Sequence, residues 1–436
     1  MASRETVLEK VREFHRASAK PTFVPGETYI PVTGKILDET DLVNLVDSSL
    51  DLWLTAGRYA KDFEKLIAKQ TQTSWSRFTV SGSAANLLAF TALTSSKLGD
   101  KRLRPGDEVI TVAAGFPTTV APIVQSGCVP VFIDVDLATH NIDVALLERA
   151  ISSKTRAIMV AHTLGNPFNI ARVMEFANRH KLFVIEDCCD ALGATYEGRS
   201  VGSFGDLATL SFYPAHHITT GEGGAVFGKQ VKLMKIVESF RDWGRDCWCD
   251  PGKDNTCGKR FDWQIGELPD GYDHKYIYSH LGYNLKATDM QAALGVSQLK
   301  KLDRFISQRR ENHKLLKESF LKAGLEQFFI LPEATENSEP SWFGFMLTLR
   351  EQGRFSRRDI VTRLEKHKIG TRLLFAGNLT KQPAFSETNF RVATPLINTD
   401  RFMNDSFWIG VWPGIGAAHI EYMVATVRKV IEDLKQ

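Results

Sequence analysis

Between about residues 75 and 230, short continuous apolar runs alternate with stretches whose apolar positions recur every three or four residues. Residues 108–112, 129–133, 157–161, 182–185, 208–212 and 224–227 read as strands, and 170–180 as one of the amphipathic helices between them. Strands that are apolar on both faces and separated by helices predict a largely parallel sheet, covered on both sides. In such sheets ligands gather at the carboxyl ends of the strands.

After Thr288 the pattern changes. One long helical stretch is predicted over about 289–319, then a strand at 343–349, a helix at about 358–367 and a C-terminal helix from Ile420. The expected division is a helical segment at 1–35, a large α/β domain at 36–288, and a linking helix with a small α+β domain at 289–436. No repeat or low-complexity segment interrupts it.

Residues 1–16 carry Val7, Leu8, Val11 and Phe14 among charges, which predicts an amphipathic helix rather than the apolar core of a leader. No apolar run approaches the ~20 residues of a membrane span, so a cytoplasmic protein is expected. The 54 basic and 51 acidic residues nearly cancel, which leaves no field suited to nucleic acid or an anionic membrane. In that compartment the six cysteines are expected to be thiols or metal ligands rather than disulfides.

Three segments of the large domain combine into one candidate site. Ser81-Gly82-Ser83-Ala84-Ala85-Asn86 opens a helix with small residues, leaving backbone N–H groups accessible to a phosphate monoester, although an ordinary N-cap has the same look. Val184-Ile185-Glu186-Asp187 ends an apolar strand on a carboxylate, which could cap a helix, ligate a metal or face a cationic ring nitrogen. Residues 211–224, from Ser211 through Tyr213, Pro214, His216 and His217 to a Gly-rich tail, form a polar turn between two strands.

Together with Gly282-Tyr283-Asn284 and Thr288-Asp289-Met290-Gln291, these segments resemble the sugar aminotransferases, pyridoxal-phosphate enzymes of the aspartate aminotransferase (fold-type I) class. The resemblance implies that Asp187 pairs with the pyridine nitrogen, that Gly82, Ser83 and Ser211 hold the phosphate, and that Phe116 stacks on the ring. It also implies that Asn284 reaches the phosphate of a neighbouring subunit, hence a homodimer with shared sites. One position departs from the family: the lysine that anchors the cofactor is replaced by His216, and the nearest lysine, Lys229, lies beyond the glycine-rich turn. Histidine forms no lasting covalent link to the cofactor, yet a neutral imidazole, with an ordinary pKa near ~6.5, still accepts a proton.

Cys247, Cys249 and Cys257 form a C-x-C-x₇-C pattern in a loop at about 245–270, and Cys189 follows Asp187 by two residues. By chemistry alone, four thiolates suit tetrahedral zinc or an iron–sulfur cluster equally, and by spacing alone zinc is the commoner reading. His216 together with this cysteine pattern is similar to one narrow group, the CDP-4-keto-6-deoxyglucose 3-dehydrases. That resemblance implies pyridoxamine phosphate held noncovalently, and a [2Fe–2S] cluster on Cys189, Cys247, Cys249 and Cys257. It further implies His216 as the base, and electrons from an iron–sulfur flavoprotein reductase or ferredoxin for 3-deoxygenation of a nucleotide-linked 4-keto-6-deoxy sugar. The cysteine loop is then expected to fold back over the end of the strand that carries Asp187. Cys128 and Cys188 read as core thiols, and Tyr213 as either a neighbour of the sugar or a packing residue. The rival readings are a zinc-bearing aminotransferase and a noncatalytic binding protein.

Overall fold

The apolar runs become strands buried along nearly their whole length: Glu108–Val112, Leu207–Ser211 and Gly224–Gly228 are buried at every position. With no polar face to turn to water, they lie inside a sheet that helices cover on both sides. The structure, a computed structural model, describes residues 3–18, 22–249, 252–350 and 355–435.

The large sheet has eight strands. From one edge they are Trp75–Thr79, Gly224–Gly228, Leu207–Ser211, Phe183–Asp187, Thr155–Ala161, Glu108–Val112, Val129–Ile133 and Arg391–Val392. Gly224–Gly228 pairs antiparallel with both of its neighbours, and every other pairing is parallel. Parallel neighbours place Asp187 and Ser211 at the same end of the sheet, and the antiparallel return carries the turn with His216 over that end. Arg391–Val392 brings the C-terminal segment into the large sheet, beside Val129–Ile133.

A second, antiparallel sheet orders Phe329–Ile330, Gly344–Leu349 and Ser406–Gly410. Its core face of Phe345, Phe407 and Ile409 packs with Leu316 of Leu302–Lys322 and Val427 of Ala417–Lys435 in one cluster. Ile30 bridges in parallel to Ile369, so the segment after the first helix, Arg4–Arg16, is tied to this smaller layer.

The single long helix predicted over 289–319 is instead two, Asp289–Leu299 and Leu302–Lys322. At the break Lys301 starts the second helix from φ −105°, ψ −5°, and its Nζ reaches Asp38 at 2.6 Å and Asp41 at 2.7 Å. Apolar spacing continues across these two residues, so periodicity alone could not register the break. The predicted helix at 1–16 begins at Arg4, capped by Ser3, and Met1 and Ala2 lie outside the described residues. Among the described residues no helix is long and apolar enough to cross a membrane.

Candidate active site

The end of the strand Phe183–Asp187 holds a carboxylate with neutral partners only. Asp187 is 4% exposed; its Oδ2 accepts from Asn86 Nδ2 at 2.8 Å and Thr119 Oγ1 at 2.7 Å, and its Oδ1 accepts from the Cys189 backbone N–H at 3.1 Å. Thr209 donates in turn to Asn86 Oδ1 at 2.7 Å, which fixes the amide's orientation. Among the described residues no lysine or arginine forms an ion pair with Asp187. A buried anion supported by neutral donors alone is suited to a cationic ligand atom, such as a protonated ring nitrogen. Asn86, Thr119 and Thr209 were not singled out from the sequence, because a neutral amide or hydroxyl within a helix or strand carries no signal until the fold is known.

A small-residue cradle lies beside it. Ser81 Oγ accepts from Ala84 N–H at 3.0 Å and starts the helix Gly82–Ala92. A Cβ on Gly82 would come within 2.4 Å of Ser211 Cβ, 2.8 Å of Ser211 Oγ and 3.1 Å of Cys189 Sγ, so this helix start touches two strand ends. Ser83 is exposed at the first turn, where the Gly82 and Ser83 N–H groups remain open to an anion. Gly82→Ala is expected to cost about 1–3 kcal/mol through overpacking, read as a lower urea midpoint. Unchanged stability would show that Ser211 and Cys189 have room to yield.

Phe116 caps the helix Pro117–Gln125, is 51% exposed, and meets Phe375 edge-on at 5.8 Å, which leaves a ring face free. The cradle, the unpaired carboxylate and this free ring face together fit a phosphorylated aromatic cation such as pyridoxal or pyridoxamine phosphate.

His216 stacks on Phe343 at 5.2 Å, and its backbone carbonyl accepts from Arg309 Nη2 at 3.3 Å. Its Nδ1 lies 3.4 Å from Asp190 Oδ1 and has no hydrogen-bond partner among the described residues. Burial pushes the imidazole down to about 4, against the pull of Asp187 and with repulsion from Arg309 adding to the effect. The side chain is therefore a neutral, lightly solvated base at physiological pH. Burial and the nearby Asp187 charge push Asp190 up to about 8, while burial lowers Arg309 to about 9. Asp190 and Arg309 thus belong to the site, though the sequence reading passed over both. His217 instead bonds the Ser341 carbonyl at 2.7 Å and is buried, and Tyr213 is 52% exposed beside the turn.

Three of the four predicted metal thiols share one hollow. Cys247, Cys249 and Cys257 line it with Asn255, Arg260 and His274. The Cys249 N–H donates to Cys247 Sγ at 3.4 Å and Thr256 Oγ1 donates to Cys249 Sγ at 3.0 Å. Burial raises Cys247 to about 11; burial also raises Cys249, but the bonds with Thr256 and Cys247 outweigh it and leave that thiol lowered. Soft sulfur donors with supporting hydrogen bonds fit a thiophilic metal centre. No three of the four sulfurs lie within 4.8 Å of one another, which is wider than the spacing around a single tetrahedral ion with ~2.3 Å bonds.

Cys189 does not line this hollow; it packs at the Gly82 cradle, where burial and Asp187 raise its thiol far above the ordinary range. The loop is fixed at Asp246, which pairs with Lys97 at 2.5 Å beyond the helix Gly82–Ala92 and accepts from Ser279 Oγ, in the same loop, at 2.5 Å. Asn284 is exposed and bridges to Asp242. Cys128 and Cys188 are buried thiols.

A mostly parallel sheet with one antiparallel return, and a cofactor-sized site at its carboxyl end, define an α/β enzyme scaffold of the fold-type I, aspartate aminotransferase-like class. The chain belongs to the DegT/DnrJ/EryC1/StrS aminotransferase family, which matches residues 36–428. It is 56% identical over 426 residues to lipopolysaccharide biosynthesis protein RfbH of Salmonella typhimurium, covering 97% of this chain and 96% of the relative. It is 52% identical over 429 residues to dTDP-4-dehydro-2,6-dideoxy-D-glucose 3-dehydratase of Saccharopolyspora spinosa, covering 98% and 92%. A crystal structure of GDP-4-keto-6-deoxymannose-3-dehydratase with a trapped PLP–glutamate geminal diamine matches with a TM-score of 0.82 at 28% identity, covering 91% of this chain and 100% of that one.

Proposed function

We propose that this protein removes the 3-hydroxyl of a nucleotide-linked 4-keto-6-deoxy-hexose, using noncovalent pyridoxamine phosphate and an iron–sulfur centre. The reading rests chiefly on His216: a half-buried, neutral base occupies the turn where an aminotransferase needs its anchoring lysine. The dehydratase names of two similar proteins support the same chemistry.

When bound, pyridoxamine phosphate supplies an amine for the 4-keto carbon and an electron sink, and the iron–sulfur centre supplies electrons singly. The chain's own residues bind and orient. Gly82, Ser83 and Ser211 receive the phosphate, Asp187 holds the ring nitrogen protonated, and Phe116 covers one ring face. His216 takes a proton from the cofactor's C4′ carbon. The balance requires two electrons and two protons for each hydroxyl released as water, so a separate iron–sulfur flavoprotein reductase or ferredoxin is implied. CDP is the nucleotide the sequence resemblance implies, whereas dTDP and GDP appear in the names of similar proteins.

Anaerobic incubation of protein, pyridoxamine phosphate, glutamate and chemical reductant with CDP-, dTDP- and GDP-4-keto-6-deoxy sugars tests this. Loss of one sugar oxygen by mass is expected with one nucleotide preferred. Transfer of nitrogen from glutamate to the sugar, with no oxygen lost, would move the protein to the aminotransferases.

A further inference from the structure

The thiols that the cysteine pattern groups as one ligand set are held apart within a single chain. Cys189 Sγ lies at the start of the helix Gly82–Ala92, 3.1 Å from where a Gly82 Cβ would sit. The arm carrying the other three is fastened at both ends of that helix: the Leu285 carbonyl accepts from Thr79 Oγ1 at 2.7 Å just before its start, while His280 Nε2 meets Ser95 Oγ at 2.7 Å and Asp246 pairs with Lys97 at 2.5 Å past its far end. Laterally, Cys249 opens on a recess beside Arg77 and Phe78 of the edge strand, whereas Cys189 follows a strand three places further in. At about 4.8 Å per strand that is roughly 14 Å.

The arm is not free to close this gap. Asp246 also accepts from Ser279 Oγ at 2.5 Å and His274 Nε2 at 3.0 Å, and Trp243 and Tyr283 are joined by a backbone hydrogen bond. Its outer surface is apolar and bare: Tyr276, Tyr278, Leu281 and Tyr283 are exposed, Leu281 at 97%. Gly252 packs against Trp53, which extends the patch to the exposed Leu52 and Leu54. An apolar face of this kind on a soluble enzyme calls for a cover, and a two-fold pair of identical arms covers itself.

We infer that the thiol centre is completed between subunits, with Cys189 of one protomer joined by Cys247, Cys249 and Cys257 of a second copy of this chain. This rests on the iron–sulfur reading proposed above and adds that neither protomer can build the centre alone. The exchange places each chain's electron source beside the other chain's cofactor cradle.

Mixed dimers purified through two different tags decide it. One pairs Cys189→Ser with a chain carrying Cys247→Ser, Cys249→Ser and Cys257→Ser; the other pairs wild type with a chain lacking all four thiols. After anaerobic reconstitution with iron and sulfide, the first should hold half the wild-type iron and show the reduced-cluster paramagnetic signal, and the second should hold none. The reverse result assigns all four ligands to one chain and overturns the inference. Oxidative cross-linking of metal-free protein carrying Cys128→Ser and Cys188→Ser gives a readout that needs no cluster. A dimer band on a non-reducing gel that requires Cys189 is expected, and a link from Cys189 to Cys247, Cys249 or Cys257 within one chain, or a protein monomeric in solution, overturns the inference. Wild-type protein that takes up no iron but still gives the dimer band would sink the iron–sulfur reading and leave the intersubunit thiols standing.

Discussion

His216→Asn is expected to slow exchange of solvent hydrogen into C4′ of bound pyridoxamine phosphate by roughly 10²–10⁴-fold, about 3–5 kcal/mol of barrier. Asparagine keeps a polar side chain of similar reach but cannot accept the proton. Cofactor binding should survive, because the cradle at Gly82 and Ser211 and the carboxylate of Asp187 come from other segments. Equilibrium dialysis measures the binding, and deuterium incorporation measures the exchange. The wild-type pH profile carries a second signature. A free imidazole would protonate near ~6.5, but burial holds His216 near about 4, so its base form persists well below neutrality. Exchange should hold its rate down to about pH 5 and fall as the pH approaches 4. The sign for folding follows: the unfolded histidine binds its proton first, so His216 costs the folded state stability progressively as pH drops from ~6.5 toward 4. A variant that exchanges within a few-fold of wild type, or an acid limb at 6.5, would remove His216 from the base role.

The strands were legible because strands buried on both faces must be written in continuous apolar letters, as in Val109, Ile110 and Val112. The site was legible where a residue's oddity is chemical. Small residues at a helix start, a carboxylate after an apolar strand and a histidine in a glycine-rich turn each break the local pattern. What stayed hidden depends on tertiary placement. Asn86 and Thr209 orient Asp187 from within a helix and a strand whose own periodicity they do not disturb. Asp190 and Arg309 meet at His216 from positions 119 residues apart, and no local rule joins them. The cysteine arm shows the opposite failure. The family resemblance marked Cys189, Cys247, Cys249 and Cys257 as a set, but a sequence pattern carries no distance, and anchoring of the arm at Lys97 and Thr79 fixes where it lies.

His216→Lys is expected to convert noncovalent binding into covalent capture, with borohydride fixing pyridoxal phosphate to the peptide spanning position 216. The turn that carries this residue is braced independently of its side chain: Thr220 N–H bonds the Phe212 carbonyl at 2.9 Å, and Arg309 holds the carbonyl of residue 216. A primary amine there would meet the cofactor from the same strand-end turn, where the native imidazole Nδ1 lies 3.4 Å from the Asp190 carboxyl and the ring stacks on Phe343. Asp190, held up near 8 by burial and by Asp187, is largely protonated at neutral pH and so does not trap the amine as a permanent ion pair. A buried lysine loses its charge more readily than a solvated one, which favours the nucleophilic form. The variant should therefore exchange nitrogen with an amino donor while losing 3-deoxygenation, even with its thiol centre intact. Label found only elsewhere on the chain would mean that position 216 does not face C4′, and the proton-transfer role would fall with it.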